Sequence, residues 1–234
     1  MKITFLGTGV SVPFENRAQS SILVEEDCRI LIDVGCGCML RLEQAGVDVC
    51  DIDAICLTHN HLDHNGDLLN ILKARWLNCT EKLQIYAPEG TRFFLESLLE
   101  AYPYLRSKLK FDVFEVKKFK VGNLNFKVMP TIHSIESQAY IIDDTVVVSG
   151  DTRAFAELIS SECRYMIHEL SLPFNYPSDY HTTPENLKEN LKFCRAEKIF
   201  LVHLYPQTHA VKEEIIRFLD FDAEVVDDLQ SVKA

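Results

Sequence analysis

Three histidines and one aspartate stand close together in one short stretch of this 234-residue chain, His59-Asn60-His61-Leu62-Asp63-His64. Such a cluster is costly unless a cation holds it, and imidazole with carboxylate suits zinc and neighbouring divalent metals. His59 and His61 alternate, so along an extended segment both face one side and can bind one ion. Asp63 and His64 turn with the chain toward a second ion. The spacing therefore predicts two adjacent metals.

The alternative interpretation is a polar loop whose histidines are solvated. Histidine fills only 8 of the 234 positions, so a chance HxHxDH pattern is expected in roughly one chain per thousand of this composition. The metal interpretation is therefore favoured. The pattern also resembles the signature of the metallo-β-lactamase superfamily of hydrolases. This resemblance implies an α/β fold with four αββα layers and a binuclear metal site for zinc, with manganese or iron as alternatives.

Further ligands must come from strand ends elsewhere, and His133, Asp151 and His203 each follow a β-rich run. A single histidine at a strand end is usually structural, but the order H, D, H after HxHxDH matches the superfamily pattern in full. The resemblance implies that one metal binds His59, His61 and His133, that the other binds Asp63, His64 and His203, and that Asp151 bridges them. Metal-bound hydroxide would then be the nucleophile, with Asp63 accepting the second proton of the water.

The segment His59–His64, here called the metal loop, lies between elements that are predicted to alternate between strand and helix. An apolar β-rich run at 53–57 precedes the loop, and an amphipathic helical pattern at 67–77 follows it. A further helix is predicted from Pro88 to about Tyr102, ended by Pro103. From Phe111 strands predominate, the first over 111–119, and we expect the second sheet to begin there. Periodicity alone predicts a mixed α/β protein with an antiparallel section.

Asp33 follows the second strand of a predicted hairpin over residues 20–34. Two roles remain open for its carboxylate. It could cap the helix that follows, or it could support the metal loop from behind the ligands.

Composition limits the class of protein. A chain with 47% hydrophobic and 25% charged residues and no Pro/Gly/Ser-rich linker is expected to form one globular domain over residues 1–234. No signal-length or membrane-spanning segment is evident, so a cytoplasmic location without membrane contact is expected. Eight cysteines without a secretory signal are expected to be reduced thiols. A net charge of −11 argues against a general polyanion-binding surface but is compatible with a small anionic substrate.

Two other motifs resemble the ribonuclease Z group of phosphodiesterases. One is His168-Glu169-Leu170-Ser171 at a strand end, and the other is Tyr180-His181-Thr182-Thr183-Pro184 before a helix. In that group a His-Glu-Ala-Thr strand end holds the histidine that meets the scissile phosphate; Leu-Ser replaces Ala-Thr here. The resemblance implies that His181 is catalytic and that Glu169 orients it. A departing alkoxide needs a proton or a cation, and a histidine held by a carboxylate provides either.

A structural role for the second motif is compatible with catalysis. Thr182 or Thr183 could cap the helix that begins at Pro184. An aromatic-rich surface around Phe174, Tyr176 and Tyr180 could line the substrate entrance or form an interface between chains, and the sequence leaves both open.

These patterns together predict a two-metal phosphodiesterase for a small or cyclic phosphodiester or an RNA 3′ region. Enzymes of the group that mature tRNA carry a long basic arm, which in the bacterial type falls between the residues matching His133 and Asp151. These two residues are only 18 positions apart, so extensive binding of the tRNA body is not expected. The alternatives are a glyoxalase II-like hydrolase of thioesters or lactones and a non-catalytic nucleic-acid-binding scaffold. A homodimer is common in the group and is an expectation for this chain.

Overall fold

Two seven-stranded β-sheets lie face to face in this protein, and the computed structural model describes residues 1–234. In spatial order the first sheet contains β14 (Ser231–Lys233), β1 (Lys2–Gly7), β2 (Ser21–Glu25), β3 (Arg29–Ile32), β4 (Ala54–Cys56), β5 (Leu83–Tyr86) and β6 (Phe111–Phe114). The second sheet contains β13 (Ala223–Val225), β12 (Lys198–Val202), β11 (Tyr165–Glu169), β10 (Val146–Val148), β9 (Gln138–Ile142), β8 (Leu124–Pro130) and β7 (Lys118–Val121).

Nine α-helices accompany the sheets, with a 3-10 turn at Val49–Asp51. They are α1 (Cys38–Gln44), α2 (Leu62–Asn65), α3 (Leu68–Asn78), α4 (Thr91–Ala101), α5 (Pro103–Arg106), α6 (Ala156–Ile159), α7 (Pro184–Leu191), α8 (Pro206–His209) and α9 (Lys212–Leu219). Apolar side chains of α1, α3 and α4 pack on the outer face of the first sheet. Those of α6, α7 and α9 pack on the outer face of the second.

Alternation along the strands explains why both faces of each sheet are buried. Phe5 and Ile22 point into the core between the sheets, whereas their neighbours Leu6 and Leu23 point toward the helices. Strands covered on both faces are continuously apolar, as in Val146–Val148, where every residue is buried. The four-layer αββα order that the resemblance implied is therefore confirmed.

Each sheet has a parallel half, and these halves place the functional loops. Strands β3 to β6 are parallel in the first sheet, and β10 to β13 are parallel in the second. Parallel strands end at the same edge of a sheet, where ligands usually bind. The segments that follow β4, β10, β11 and β12 contain nearly all of the candidate site residues.

The predicted strand over residues 111–119 is wrong as a single element. The chain forms β6, which pairs with β5 in the first sheet, and then crosses to form β7, which pairs with β8 in the second. The second sheet therefore begins at Lys118 rather than at Phe111. The exposed residues Glu115 to Lys117 lie at the crossing. Because their neighbours are apolar and β-branched, the sequence pattern predicts one continuous strand and not the end of β6 and the start of β7.

Two further differences concern helix and strand ends. Pro103 does end the preceding helix, but it also occupies the first turn of the short helix α5, where its missing N–H costs nothing. The final strand β14 was not predicted. It pairs with β1, with Ile3 opposite Val232, so the two termini of the chain lie side by side.

One pair of cysteines departs from the expectation of reduced thiols. Cys50 and Cys79 form a disulfide that joins the 3-10 turn to the residue after α3, while the other six cysteines are free. Sequence spacing could not identify this pair because the two residues are 29 positions apart. None of the helices combines the length and apolar character needed to cross a lipid bilayer.

Candidate metal centre and active site

The metal loop follows β4, and hydrogen bonds to the carboxylate of Asp33 hold it in place. The carboxylate of Asp33 accepts hydrogen bonds from the backbone N and Oγ1 of Thr58, both at 2.7 Å. It also accepts one from Nδ1 of His64 at 2.7 Å. Asp33 therefore supports the metal loop, and the helix-cap alternative is wrong. At the start of α1, the carboxylate of Asp67 accepts hydrogen bonds from the backbone N–H groups of Gly37 and Met39 instead.

Three imidazole nitrogens converge in a first group. Nδ1 of His61 lies 3.1 Å from Nε2 of His59 and 3.1 Å from Nε2 of His133. Asp151 is the fourth member, with Oδ2 at 3.8 Å from Nε2 of His59. His133 reaches this group from the loop after β8, on the opposite sheet, so the group spans the edge of the sandwich.

A second group lies directly beside the first. Nε2 of His203 is 3.3 Å from Oδ2 of Asp63 and 3.4 Å from Nε2 of His64. The other oxygen of Asp151, Oδ1, lies 3.2 Å from Nε2 of His64. Asp151 thus points one oxygen at each group. All seven sequence-predicted metal-binding residues come together, and the two groups have donor sets that could hold metal ions.

The chemistry of the donor atoms, considered without the resemblance, fits divalent cations. Oδ1 of Asp151 is buried and has no hydrogen-bond partner, which is costly unless a cation neutralises it. Burial lowers the pKa of His59 to about 2, so this imidazole is neutral and its nitrogen can bind a metal. Burial would also lower the pKa of His64, but Asp151 and Asp33 outweigh it and raise the pKa well above the ordinary value. The carboxylates of Asp151 and Asp33 therefore favour a positive charge beside His64.

Carboxylate and hydroxyl groups behind the ligands orient the rings. The bond to Asp33 occupies Nδ1 of His64, which leaves Nε2 facing the second group. Nδ1 of His203 bonds to Oγ of Ser171 at 2.9 Å, and its Nε2 also faces that group. The role of Ser171 could not be predicted from the sequence, although its place two residues after Glu169 was a usable signal.

A histidine held by a carboxylate faces the metal groups. Nδ1 of His181 donates to Oε1 of Glu169 at 2.8 Å, and the His181 ring centre lies 5.0 Å from that of His133. Glu169 is 1% exposed. Burial would lower the pKa of His181, but the hydrogen bond and the charge of Glu169 raise it to about 9. His181 is therefore a protonated imidazolium at neutral pH when the site holds no cations.

Helix capping coexists with this arrangement. Oγ1 of Thr183 accepts a hydrogen bond from the backbone N of Asn186 in the first turn of α7. Oγ1 of Thr182 instead donates to the carbonyl of Thr152, the residue after Asp151. Thr183 is thus the cap, and the segment 181–184 is fixed at both its helix and its metal-site side.

The fold matches solved structures along the whole chain. The metallo-β-lactamase fold protein YhfI from Bacillus subtilis aligns with a TM-score of 0.83 and 21% identity, covering 99% of this chain and 98% of YhfI. The short form of human tRNase Z aligns with a TM-score of 0.81 and 21% identity, covering 100% of this chain and 99% of the human protein. The chain therefore has the metallo-β-lactamase fold, as the resemblance implied.

Sequence comparison narrows the class. A ribonuclease Z of Mycobacterium sp. (strain KMS) is 33% identical over 181 residues, which are 68% of this chain and 64% of that protein. The chain thus spans less than two thirds of this relative. The sandwich, the His/Asp cluster at its edge and this similarity define a ribonuclease Z-like protein of the metallo-β-lactamase superfamily. Residues 1–223 match the family described as Anti-Pycsar protein Apyc1, and the chain belongs to that family.

Proposed function

We propose that this protein is a two-metal phosphodiesterase that hydrolyses a small or cyclic phosphodiester. The observation that carries the proposal is the Glu169–His181 pair, whose imidazole stands beside both metal groups with Nδ1 bound and Nε2 free. A metal centre alone suits many hydrolytic reactions. A protonated histidine beside it suits a reaction whose leaving group is a poor one, as the alkoxide of a phosphodiester is.

The proposed centre holds two divalent ions. His59, His61 and His133 would bind one, Asp63, His64 and His203 would bind the other, and Asp151 would bridge. Zinc is the proposed metal because neutral imidazole and carboxylate are its usual ligands, with manganese and iron as alternatives. Bound there, the ions would lower the pKa of a water molecule and balance the charge that develops on the phosphate.

The residues of the chain have separate tasks in this proposal. Burial raises the pKa of Asp63, but the hydrogen bond from His203 and the charge of His64 outweigh it and bring the pKa below the usual range. Asp63 is therefore ionised at neutral pH and can accept a proton from the attacking water. His181 donates a proton from Nε2 to the leaving oxygen, and Glu169 fixes the ring so that Nε2 faces the metal groups.

Substrate size follows from the segment between His133 and Asp151. It contains the short loop 134–137, β9, a tight turn and β10, and none of it extends as an arm. The net charge of −11 also disfavours contact with a long polyanion. We therefore propose a small or cyclic phosphodiester first and an RNA 3′ region second, the latter because the relatives are named ribonuclease Z.

A panel of substrates tests the reaction class. Wild-type protein and His181→Ala, each with measured metal content, are assayed on a cyclic nucleotide, bis(p-nitrophenyl) phosphate, a short RNA with a 3′ extension and a thioester. We expect hydrolysis of the cyclic nucleotide, whose leaving group is an alkoxide, to fall about 100-fold or more in the variant while the metal remains bound. Thioester hydrolysis that does not need His181 would support the glyoxalase II-like alternative instead, and bound metal without any hydrolysis would support a scaffold.

We also propose that this chain shares the role that the family description names, opposition to Pycsar. The match over residues 1–223 supports this part of the proposal. Co-expression of the chain with Pycsar tests it, with His181→Ala as the control. Wild-type protein should abolish the response that Pycsar produces in the cells, and the His181→Ala variant should not. An equal response with the two proteins would contradict the link between hydrolysis and opposition to Pycsar.

A further inference from the structure

A largely buried carboxylate near the C-terminus holds the loop that follows β1. The side chain of Asp228 is 9% exposed. Its Oδ1 accepts hydrogen bonds from the backbone N and Oγ1 of Thr8 at 2.9 and 2.8 Å. Its Oδ2 accepts from the backbone N of Ala18 at 2.7 Å and from Nε of Arg41 at 3.0 Å. One carboxylate therefore closes both ends of the loop 8–18.

Thr8 in turn holds a candidate metal-binding residue. The carbonyl oxygen of Thr8 accepts a hydrogen bond from the backbone N of His203 at 3.0 Å. His203 has a φ of 59°, in the left-handed region that favours glycine. A residue other than glycine keeps this backbone conformation only where surrounding contacts fix it. The bond from His203 to Thr8 is such a contact on the backbone, and the bond to Ser171 is another on the ring.

The loop contacts the second metal group through the backbone of His203. No hydrogen bond of the loop 8–18 reaches His59, His61 or His133. The contacts of the loop are thus directed at one metal group and not at the other.

We propose that Asp228 is a positioning residue for the second metal group. It acts through Thr8, whose carbonyl oxygen fixes the backbone of His203, and so it sets the affinity for one of the two ions. This inference rests on the proposed function because it takes Asp63, His64 and His203 as ligands. A merely structural tie between the termini would instead affect both metal groups alike, since it would act through the stability of the whole fold.

Metal binding in two single-site backgrounds tests the proposal. His61→Ala disables the first group and leaves the second, whereas His203→Ala disables the second and leaves the first. Asp228→Asn is added to each background, and the dissociation constant for zinc is measured by competition with a chromophoric chelator. Asp222→Asn is the matched control, since it removes the same charge from a carboxylate that is 66% exposed and 3.7 Å from its nearest cation, Lys198.

We expect Asp228→Asn to weaken zinc binding about 10-fold to 100-fold in the His61→Ala background. In the His203→Ala background the change should stay within about twofold, and Asp222→Asn should have no effect in either. An equal loss in both backgrounds, or no loss where only the second group remains, would overturn the proposal. Circular dichroism confirms that each variant is folded.

If Asp228→Asn does not fold, Thr8→Val takes its place. This change keeps the backbone N–H bond from residue 8 to Asp228 and removes the two bonds of the hydroxyl, one to Asp228 and one from Arg17. Zinc binding should again weaken only in the His61→Ala background, by about threefold to tenfold. An equal loss of zinc binding in both backgrounds would overturn the proposal. The wild-type protein separates the two hypotheses: binding of two ions without phosphodiester hydrolysis contradicts the proposed function alone, whereas failure to bind any ion contradicts both.

Discussion

At the scale of single residues, Glu169 sets the orientation and the pKa of His181, the proposed proton donor. Its Oε1 accepts hydrogen bonds from His181 and from the backbone N of Thr152. Its Oε2 accepts from the backbone N and Oγ of Ser171. A buried carboxylate with its oxygens occupied in this way cannot rotate, so it presents a fixed negative charge to Nδ1 of His181 and raises the pKa of that imidazole to about 9.

The first prediction concerns the pH dependence of catalysis. His181 acts in its protonated form, so kcat should fall as the pH rises through the pKa that His181 has in the metal-loaded enzyme. Glu169→Gln removes the charge that opposes burial, and the pKa of His181 should drop below its ordinary value. The alkaline limb of the pH–kcat profile should therefore move to lower pH by at least one unit, about a tenfold change in the protonation equilibrium.

The control for this prediction is Glu157→Gln, which changes an exposed glutamate in α6. It should leave the alkaline limb in place. An unchanged limb in Glu169→Gln as well, in protein that still binds metal, would contradict the assignment of His181 as the proton donor.

The candidate ligands could be predicted from the sequence because their chemistry is concentrated in one motif and at three strand ends. The residues behind them were harder to identify. The contact of Ser171 with His203 depends on two loops from adjacent strands meeting in space, and the sequence does not record that meeting. Asp33 could be named, but its role remained open until its bonds to Thr58 and His64 were visible.

At the scale of elements, the site depends on close approach between the ends of β4 and β10. Gly150 follows β10 with a φ of 60°. A Cβ built on Gly150 would lie 2.7 Å from the Cβ of Thr58, the residue just before His59. The two sheets therefore meet here without room for a side chain, and Asp151 is brought between the metal groups as a result.

The second prediction is that Gly150→Ala damages both stability and metal binding. The left-handed backbone and the clash with Thr58 should together cost about 2 kcal/mol or more in the free energy of unfolding. They should also displace Asp151 and lower the number of bound ions. Urea unfolding and metal analysis of the dialysed protein measure the two effects.

Gly46→Ala separates backbone strain from the clash. Gly46 also has a left-handed φ, 72°, but a Cβ there would meet nothing within 4 Å. This variant should lose about 1 kcal/mol of stability and keep its metal. Normal metal content in Gly150→Ala would show that the approach of the two strand ends does not position Asp151.

Element order was predictable where hydrophobic periodicity is strong, as in the β-α-β-α arrangement around the metal loop. It was not predictable where the chain changes sheets. Between β6 and β7 the β-rich character continues while the pairing partner changes from β5 to β8. Strand β14 was missed for a related reason, because only its pairing with the distant β1 defines it.

At the scale of the whole molecule, a net charge of −11 coexists with carboxylates at the candidate metal centre that favour a positive charge. Bound ions would reverse the local field and so allow an anionic substrate to approach an acidic protein. The one-domain assignment over residues 1–234 and the cytoplasmic location stay predictions.

The third prediction follows from the one-domain assignment and from metal binding. Thermal unfolding should show a single cooperative transition with equal calorimetric and van't Hoff enthalpies. Zinc at 100 times its dissociation constant should add about 2.7 kcal/mol of stability for each bound ion and raise Tm by about 5 to 10 °C per ion. Asp151→Asn should lose most of this increase, and two separate transitions in the wild-type protein would contradict the single domain.

The most direct test of the central claim compares leaving groups. If His181 donates a proton to the departing oxygen, His181→Ala should slow a substrate with an alkoxide leaving group far more than one that releases p-nitrophenolate, which needs little protonation. With metal content held equal, we predict a loss of kcat of about 100-fold or more for the alkoxide substrate and a much smaller loss for the nitrophenyl ester. An equal loss for both substrates would contradict proton donation by His181 and, with it, the reaction proposed for this protein.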